Sequence, residues 1–312
     1  MSRGALLSGY REEILLPAGE RWELYHNSFS LCSKKVRVCL AELGISYKSH
    51  PIDLIETGRY QNVSREFLRV NPAGTVPVLL YEGHPIYESH EQIRFAADHV
   101  AAKGPALVPD DPQKRELVEL WTDKASLVGD PMSGHAARAG HCIPGLTFPL
   151  FATTVVSIPV WEIVKGLRMH PNKERPIAFL LMRWLGVERF CRIPLFNSAV
   201  AKSRAAMELH LDDLATQLET HGAEWIVGEE FTLADVSWVV LLDRLVEADW
   251  ERVFWSHGKR PVIEAYWERL RNRPSYRTEI LDMRCPEVRD GIAALAAEKR
   301  HSSSLRALLE GA

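Results

Sequence analysis

The residues best placed to do chemistry are Ser30, Cys32 and Ser33, two hydroxyls and a thiol inside the stretch Leu24 to Gly44. Behind them Val36, Cys39, Leu40 and Leu43 recur at the i, i+3, i+4, i+7 spacing of one helix face, with Lys34, Lys35, Arg37 and Glu42 off it. The three residues therefore fall at a helix N-terminus, where free backbone N–H groups and the helix dipole stabilise an anion. A thiolate there, carried by Cys32 or by a bound molecule, would be stabilised at neutral pH with help from the serine hydroxyls. The same residues also read as two ordinary helix caps and a small buried cysteine. The stretch by itself leaves both readings open.

Such a helix has to be set in place by a sheet. Trp22 to Tyr25 reads as a strand before it, Gly44 as its stop and Ile45 to Ile52 as a second strand, a β-α-β unit suited to parallel pairing. Asp53 to Val70 is polar and loop-like, with a short helix at Ser64 to Leu68. Asn71 to Leu80 is a turn running into an apolar strand that Pro77, lacking an N–H, must begin or edge. Glu82-Gly83 makes a tight turn and His84 to Tyr87 pairs back. Glu88-Ser89 then opens a helix through about Ala101, with Ile93, Ala96, Ala97 and Val100 on one side. This order, β-α-β and then β-β-α, is that of a thioredoxin-like domain.

Gly104, Pro105, Pro109 and Pro112 break regular structure and mark a linker. The expected organisation is an irregular extension over 1–20, a thioredoxin-like domain over 21–102, the linker at 103–112, an all-helical domain over 113–286 and a charged, alanine-rich tail over 287–312. Thr232 to Asp235 is a capping box, with Phe231 and Val236 placed as its hydrophobic staple. Cys142 to Trp161 carries no charge, but Pro144, Pro149 and Pro159 argue against an unbroken membrane-spanning helix. Residues 141–198 read instead as an insertion whose Phe148, Phe151, Trp161 and Phe179 either line an apolar pocket or fill a core.

Composition narrows the classes. The 312 residues are 46% hydrophobic and 25% charged, enough for two domains with full cores. A net charge of −3 gives no reason to expect nucleic acid. The five cysteines, at 32, 39, 142, 191 and 285, have no metal-ligand spacing and an odd count, which points to a reducing, cytoplasmic setting without disulfides. Gly4 to Leu7 is too short an apolar run for a secretory signal. His26 reads as a hydrogen-bonded structural histidine. The cluster Glu264, Glu268, Arg269, Arg271 and Arg273 reads as a solvated helix face, and Lys34 and Lys35 either meet an anionic ligand or an adjacent subunit, or face solvent.

Three motifs in this order and spacing resemble the cytosolic glutathione S-transferases: Ser30-Leu31-Cys32-Ser33 with Val36-Arg37-Val38, Asn71-Pro72 with Val76-Pro77, and Glu88-Ser89. The first turn resembles the zeta class and, nearer still, the tetrachlorohydroquinone reductive dehalogenase group, a likeness that extends to Trp225 to Gly228 and Ser237 to Leu242. The resemblance implies a glutathione S-transferase fold with an enlarged helical insertion, and a homodimer. It implies that Ser30 steadies a glutathione thiolate and Cys32 acts as a redox nucleophile. Ser33, Thr75, Val76, a cis Pro77, Glu88 and Ser89 would bind glutathione as co-substrate, with Val76 pairing its cysteinyl part and Glu88-Ser89 its γ-glutamyl end.

The activity implied is transfer of glutathione to an apolar, aromatic or quinonoid electrophile, followed by reductive dehalogenation or deglutathionylation through Cys32. A zeta-type cis-trans isomerase shares the first step. A ganglioside-induced differentiation-associated family has a similar Leu-Tyr-His start, Lys-Val-Arg helix and long insertion, which keeps a non-enzymatic binding or scaffold protein as the alternative.

Overall fold

The alternating and apolar runs at 22–26, 78–81 and 84–87 can only be satisfied as paired strands. In the computed structural model of the protein, which describes residues 8–100, 106–129, 135–170, 173–222 and 224–310, they form the middle of one sheet. Its strands are β1 (Gly9–Tyr10), β2 (Trp22–His26), β3 (Lys48–Pro51), β4 (Val78–Tyr81) and β5 (His84–Tyr87), in the order β1-β5-β4-β2-β3. β2 runs parallel to β3, and the other pairs are antiparallel. Glu82 and Gly83, at φ 52° and 86°, are the left-handed pair that a two-residue hairpin turn requires.

Helices α1 (Leu31–Glu42) and α3 (Ser89–Val100) pack together. The short α2 (Arg65–Val70) is capped by Ser64, whose hydroxyl accepts from the Phe67 N–H at 3.2 Å, and seats Phe67 with Ile52, Val78, Leu80 and Tyr87. The extension departs from the irregular course expected of it. Gly9 and Tyr10 pair with Tyr87 and Ile86, and the Tyr10 ring stacks on Phe95 at 4.9 Å. Two residues are too few to leave a periodic signal. Positions 1–7 of the extension, Ala101, and Gly104 and Pro105 of the linker lie outside the described residues.

The helical half comprises α4 (Pro112–Lys124), α5 (Ile143–Thr154), α6 (Val160–Met169), α7 (Glu174–Cys191), α8 (Pro194–His221), α9 (Leu233–Glu247), the short α10 (Glu251–Phe254), α11 (Pro261–Arg271), the short α12 (Pro274–Tyr276), α13 (Pro286–His301) and α14 (Ser303–Glu310). The capping box forms as read: Asp235 accepts from the Thr232 N–H at 2.9 Å, and Phe231 and Val236 are buried. Helix α5 runs through Pro149 but ends at Thr154, a 3-10 turn and an extended Ile158 separating it from Pro159 and α6, and it packs against α7, α8, α9 and α13. The stretch Ala139–Ser157 is long and apolar enough to cross a membrane, yet 78% of it is buried inside the protein, so it serves as a core helix.

Residues 286–310, read as a polar tail, form two packed helices. Val288, Gly291, Leu295, Leu305 and Leu309 turn inward, and the Thr153 hydroxyl donates to the Gly291 carbonyl at 2.8 Å. Their alanine-rich, charged composition hid a narrow apolar stripe.

Candidate active site

The turn between β2 and α1 is fastened by one asparagine. Asn27 Oδ1 accepts from the N–H groups of Phe29 (2.9 Å) and Ser30 (3.1 Å), while its amide donates to the Ile52 carbonyl and Thr57 Oγ1, both at 2.9 Å. Ser30 is the N-cap of α1, and its hydroxyl accepts from the Ser33 N–H at 3.3 Å. Ser30 and Cys32 are partly exposed in this first turn. Ser33 faces the other way: it is fully buried, and its hydroxyl accepts from the Asn27 N–H at 3.2 Å. Nothing in the sequence shows what the Asn27 amide group holds, because the partners of its N–H donors lie 25 and 30 residues away.

Strand register brings the other two motifs beside this turn. Tyr25 sits opposite Val78, and Leu79 opposite Ile86. Carried two residues further, the same registers set Asn27 by Val76 and Pro77 by Glu88, at one end of the sheet. The Val76-Pro77 peptide is cis. Its loop is held by three buried amides: Asn62 donates to the Gly74 carbonyl (2.8 Å), Asn71 to the carbonyl (2.8 Å) and hydroxyl (3.0 Å) of Thr75, and Gln92 to the carbonyls of Pro77 (2.9 Å) and Ile86 (2.8 Å). Thr75 is exposed, Val76 half-buried and Ser89 buried at the head of α3. Glu88 has φ 67°, a left-handed conformation that non-glycine residues adopt at a cost and that accompanies functional sites.

Charge at this end comes from an unexpected source. Lys34 and Lys35 are not solvated; they are 1% and 2% exposed. Lys34 Nζ meets Asp243 Oδ2 at 2.6 Å and Glu247 Oε1 at 2.7 Å on α9. Arg284 reaches the same two carboxylates, each at 3.0 Å, and Tyr276 donates to Asp243 at 2.9 Å. Burial opposes ionisation of Glu247, but Lys34, Arg244 and Arg284 hold its carboxyl below the usual range. Lys35 makes no hydrogen bond among the described residues. Burial lowers its pKa, and it lies within electrostatic reach of both the Cys32 thiol and the Glu88 carboxyl. Burial in turn raises the pKa of Glu88, partly offset by Lys35. Arg273, read as part of a solvated face, also crosses to the first domain, pairing with Glu42 at 2.5 Å.

His26 is structural, as its position suggested. It is buried, bonded through Nε2 to Ser49 Oγ (2.7 Å), and accepts at Nδ1 from Arg37 (3.2 Å). Burial, with Arg37 and His50, lowers its pKa to about 3, so it is neutral.

A cleft of about 980 Å³ opens beside the turn, reaching Ser28 and walled by Thr57, Arg59 and Tyr60 on one side, Trp161 and Lys165 of α6 on another, and Cys285. Of the insertion aromatics only Trp161 lines it. Phe151 packs on Phe29 at 5.8 Å and on Phe179 at 6.1 Å, and Phe148 packs edge-on to Phe196.

Comparison with known proteins agrees with this architecture. The glutathione S-transferase N-terminal domain family matches residues 29–99, and its C-terminal domain family matches residues 197–272. Glutathione S-transferase TCHQD of Arabidopsis thaliana is 27% identical over 279 residues, covering 83% of this chain and 89% of that protein. The tetrachloro-p-hydroquinone reductive dehalogenase of Sphingobium chlorophenolicum is 24% identical over 82% of this chain and 94% of its own. A β-etherase crystal structure from Sphingobium sp. strain SYK-6 shares the fold at TM-score 0.65 and 19% identity, over 85% of this chain and 98% of that one. With both family domains in order around a capped Ser30 turn and a cis Pro77 loop, the chain belongs to the glutathione S-transferase family and is a glutathione transferase-type enzyme.

Proposed function

We propose that the protein binds glutathione across the end of the sheet and uses it, with Cys32, to reduce an apolar aromatic or quinonoid electrophile. One observation carries the reading. Cys32 is partly exposed in the first turn of α1 beside the Ser30 cap, whereas burial pushes the Cys142 and Cys191 thiols up to about 12 and Cys39 higher still. A relative named for reductive dehalogenation of a hydroquinone supports the same chemistry.

In this reading Glu88 meets the ammonium of glutathione, and the Ser89 hydroxyl with the N–H groups of α3 meets its γ-glutamyl carboxylate. The Val76 backbone pairs with the cysteinyl part, with Thr75 and Ser33 supporting the two loops. Ser30 and the N-terminus of α1 stabilise the thiolate, which displaces halide from the electrophile and leaves a carbon–sulfur bond. The Cys32 thiolate then attacks that sulfur. The carbon–sulfur bond breaks, its electron pair takes up a proton on carbon, and Cys32 is left in a mixed disulfide. A second glutathione thiolate attacks this disulfide, releasing oxidised glutathione and restoring Cys32. The cleft beside Ser28 is the proposed seat of the electrophile.

Turnover of tetrachlorohydroquinone with glutathione tests this in Cys32→Ser and Ser30→Ala. Cys32→Ser should stall with a trapped glutathionyl conjugate, and Ser30→Ala should slow the first step about a hundredfold. Full turnover by Cys32→Ser would leave a conjugating or isomerising transferase centred on Ser30. Failure of the native chain to be retained on a glutathione resin would leave only the scaffold reading.

A further inference from the structure

The insertion differs from the rest of the chain in charge. Residues 155–193 hold seven Lys or Arg and three Glu, a net +4 within a chain of net −3. Only Lys165, Arg175 and Arg192 of these cations form ion pairs among the described residues, which leaves Arg168, Lys173, Arg183 and Arg189 without one.

Its helices are also apolar on two sides. Helix α6 buries Ile163, and Gly166 closes on Tyr60, yet Val160, Val164 and Leu167 stay exposed at the i, i+4, i+7 spacing. Helix α7 buries Phe179 and Met182 and leaves Ile177 and Trp184 exposed, Trp184 at 81%, with half-buried Leu181 between them. The Arg183 guanidinium donates to the carbonyls of Val155 and Val156, which holds α7 against the turn between α5 and α6. Two helices in contact thus leave branched aliphatic and tryptophan side chains exposed, on a segment that carries an excess of positive charge.

A second copy is a poor occupant, because a twofold contact through this segment would bring two net positive charges of the same size together. An anionic lipid surface suits both features: tryptophan and branched aliphatics enter the boundary between headgroup and acyl chain, and Lys and Arg meet the headgroup charge. We propose that the α6–α7 face docks this enzyme on an anionic phospholipid bilayer, lying in the interface without spanning it. The core helix α5 takes no part. Helix α6 then separates lipid from the cleft, which it lines with Trp161 and Lys165. The inference stands on the exposed face and its charge, independently of the reading of Cys32.

Co-sedimentation of the full chain with vesicles tests it, using phosphatidylcholine alone and phosphatidylcholine with about a third phosphatidylserine. Binding is expected to the anionic vesicles and should weaken with added salt. The double variants Val164→Ser with Trp184→Ser, and Arg168→Glu with Lys173→Glu, should each lower vesicle affinity at least about tenfold. Because all four side chains are exposed, the circular dichroism melts should stay unchanged. No retention on anionic vesicles, or retention that neither variant alters, would overturn the proposal. So would a native dimer, seen by sedimentation velocity, that the Val164/Trp184 variant splits while vesicles bind neither form.

Discussion

Arg244, on α9, donates to the carbonyl oxygen of Phe29, and its guanidinium lies 3.9 Å above the Phe29 ring. The residue immediately before Ser30 is therefore held from the helical domain, by a cation that also pairs with Glu247 at 2.9 Å. Arg244→Met should lower the unfolding free energy by about 3 kcal/mol, read by urea titration, because it leaves Glu247 short of a partner. It should also raise KM for glutathione as the turn loosens. Arg244→Lys should recover part of the stability and little of the KM effect, since an ammonium lacks the planar fork.

Lys34 sits between two carboxylates at the centre of the domain contact. Lys34→Met should destabilise by about 3–5 kcal/mol, the cost of a buried charge stripped of its partner. Combining it with Glu247→Leu should restore part of that loss. A double-mutant cycle by chemical denaturation measures the coupling.

His26 predicts an acid dependence with a definite sign. Its folded pKa is lowered from the ordinary 6.5 to about 3, so the unfolded chain takes up the proton first. The stability tied to neutral His26 is full above pH 6.5 and falls as pH drops towards 3, by about 1.4 kcal/mol per unit. His26→Gln, which keeps a donor for Ser49, should flatten the unfolding free energy across that window. An unchanged slope would assign the acid limb to other groups.

Gln92 ties α3 to the cis Pro77 loop through two carbonyls and touches no proposed substrate position. Gln92→Met keeps the volume and removes both donors. It should raise KM for glutathione several-fold with a smaller change in kcat, and cost about 1–3 kcal/mol for the carbonyls left unpaired.

Gly166 is where α6 closes on the first domain. A Cβ there would stand 2.5 Å from the Tyr60 ring, so Gly166→Ala must push the helix off. A loss of about 1–3 kcal/mol is expected, along with altered affinity for the electrophile, because Tyr60, Trp161 and Lys165 wall the same cleft.

What the sequence disclosed was local. The Ser30 cap, the Glu82-Gly83 hairpin, the Pro77 loop and the Thr232 capping box each depend on residues a few positions apart, and each is present. What stayed hidden was carried by distance. Lys34 and Arg37 lie off the apolar face of their helix, and for Lys34 a ligand, an adjacent subunit and solvent all stayed open. Their partners, Asp243, Glu247 and the Glu279 carbonyl, are more than two hundred residues further on. Asn27 and Gln92 were silent for a different reason: their worth lies in buried carbonyls and hydroxyls, which residue type alone does not disclose. In the insertion, aromatic content alone did not separate Trp161, which faces the cleft, from Phe151 and Phe179, which pack in the core.

The Lys34 cluster also limits how this enzyme can be recombined. Its thiol-bearing half is no cassette: expressed alone, or joined to a relative's helical half lacking carboxylates at the positions of Asp243 and Glu247, it would present bare cations where a core should be. Chimeras made to exchange substrate preference should therefore cross over inside the helical region, keeping α1 and α9 from one parent.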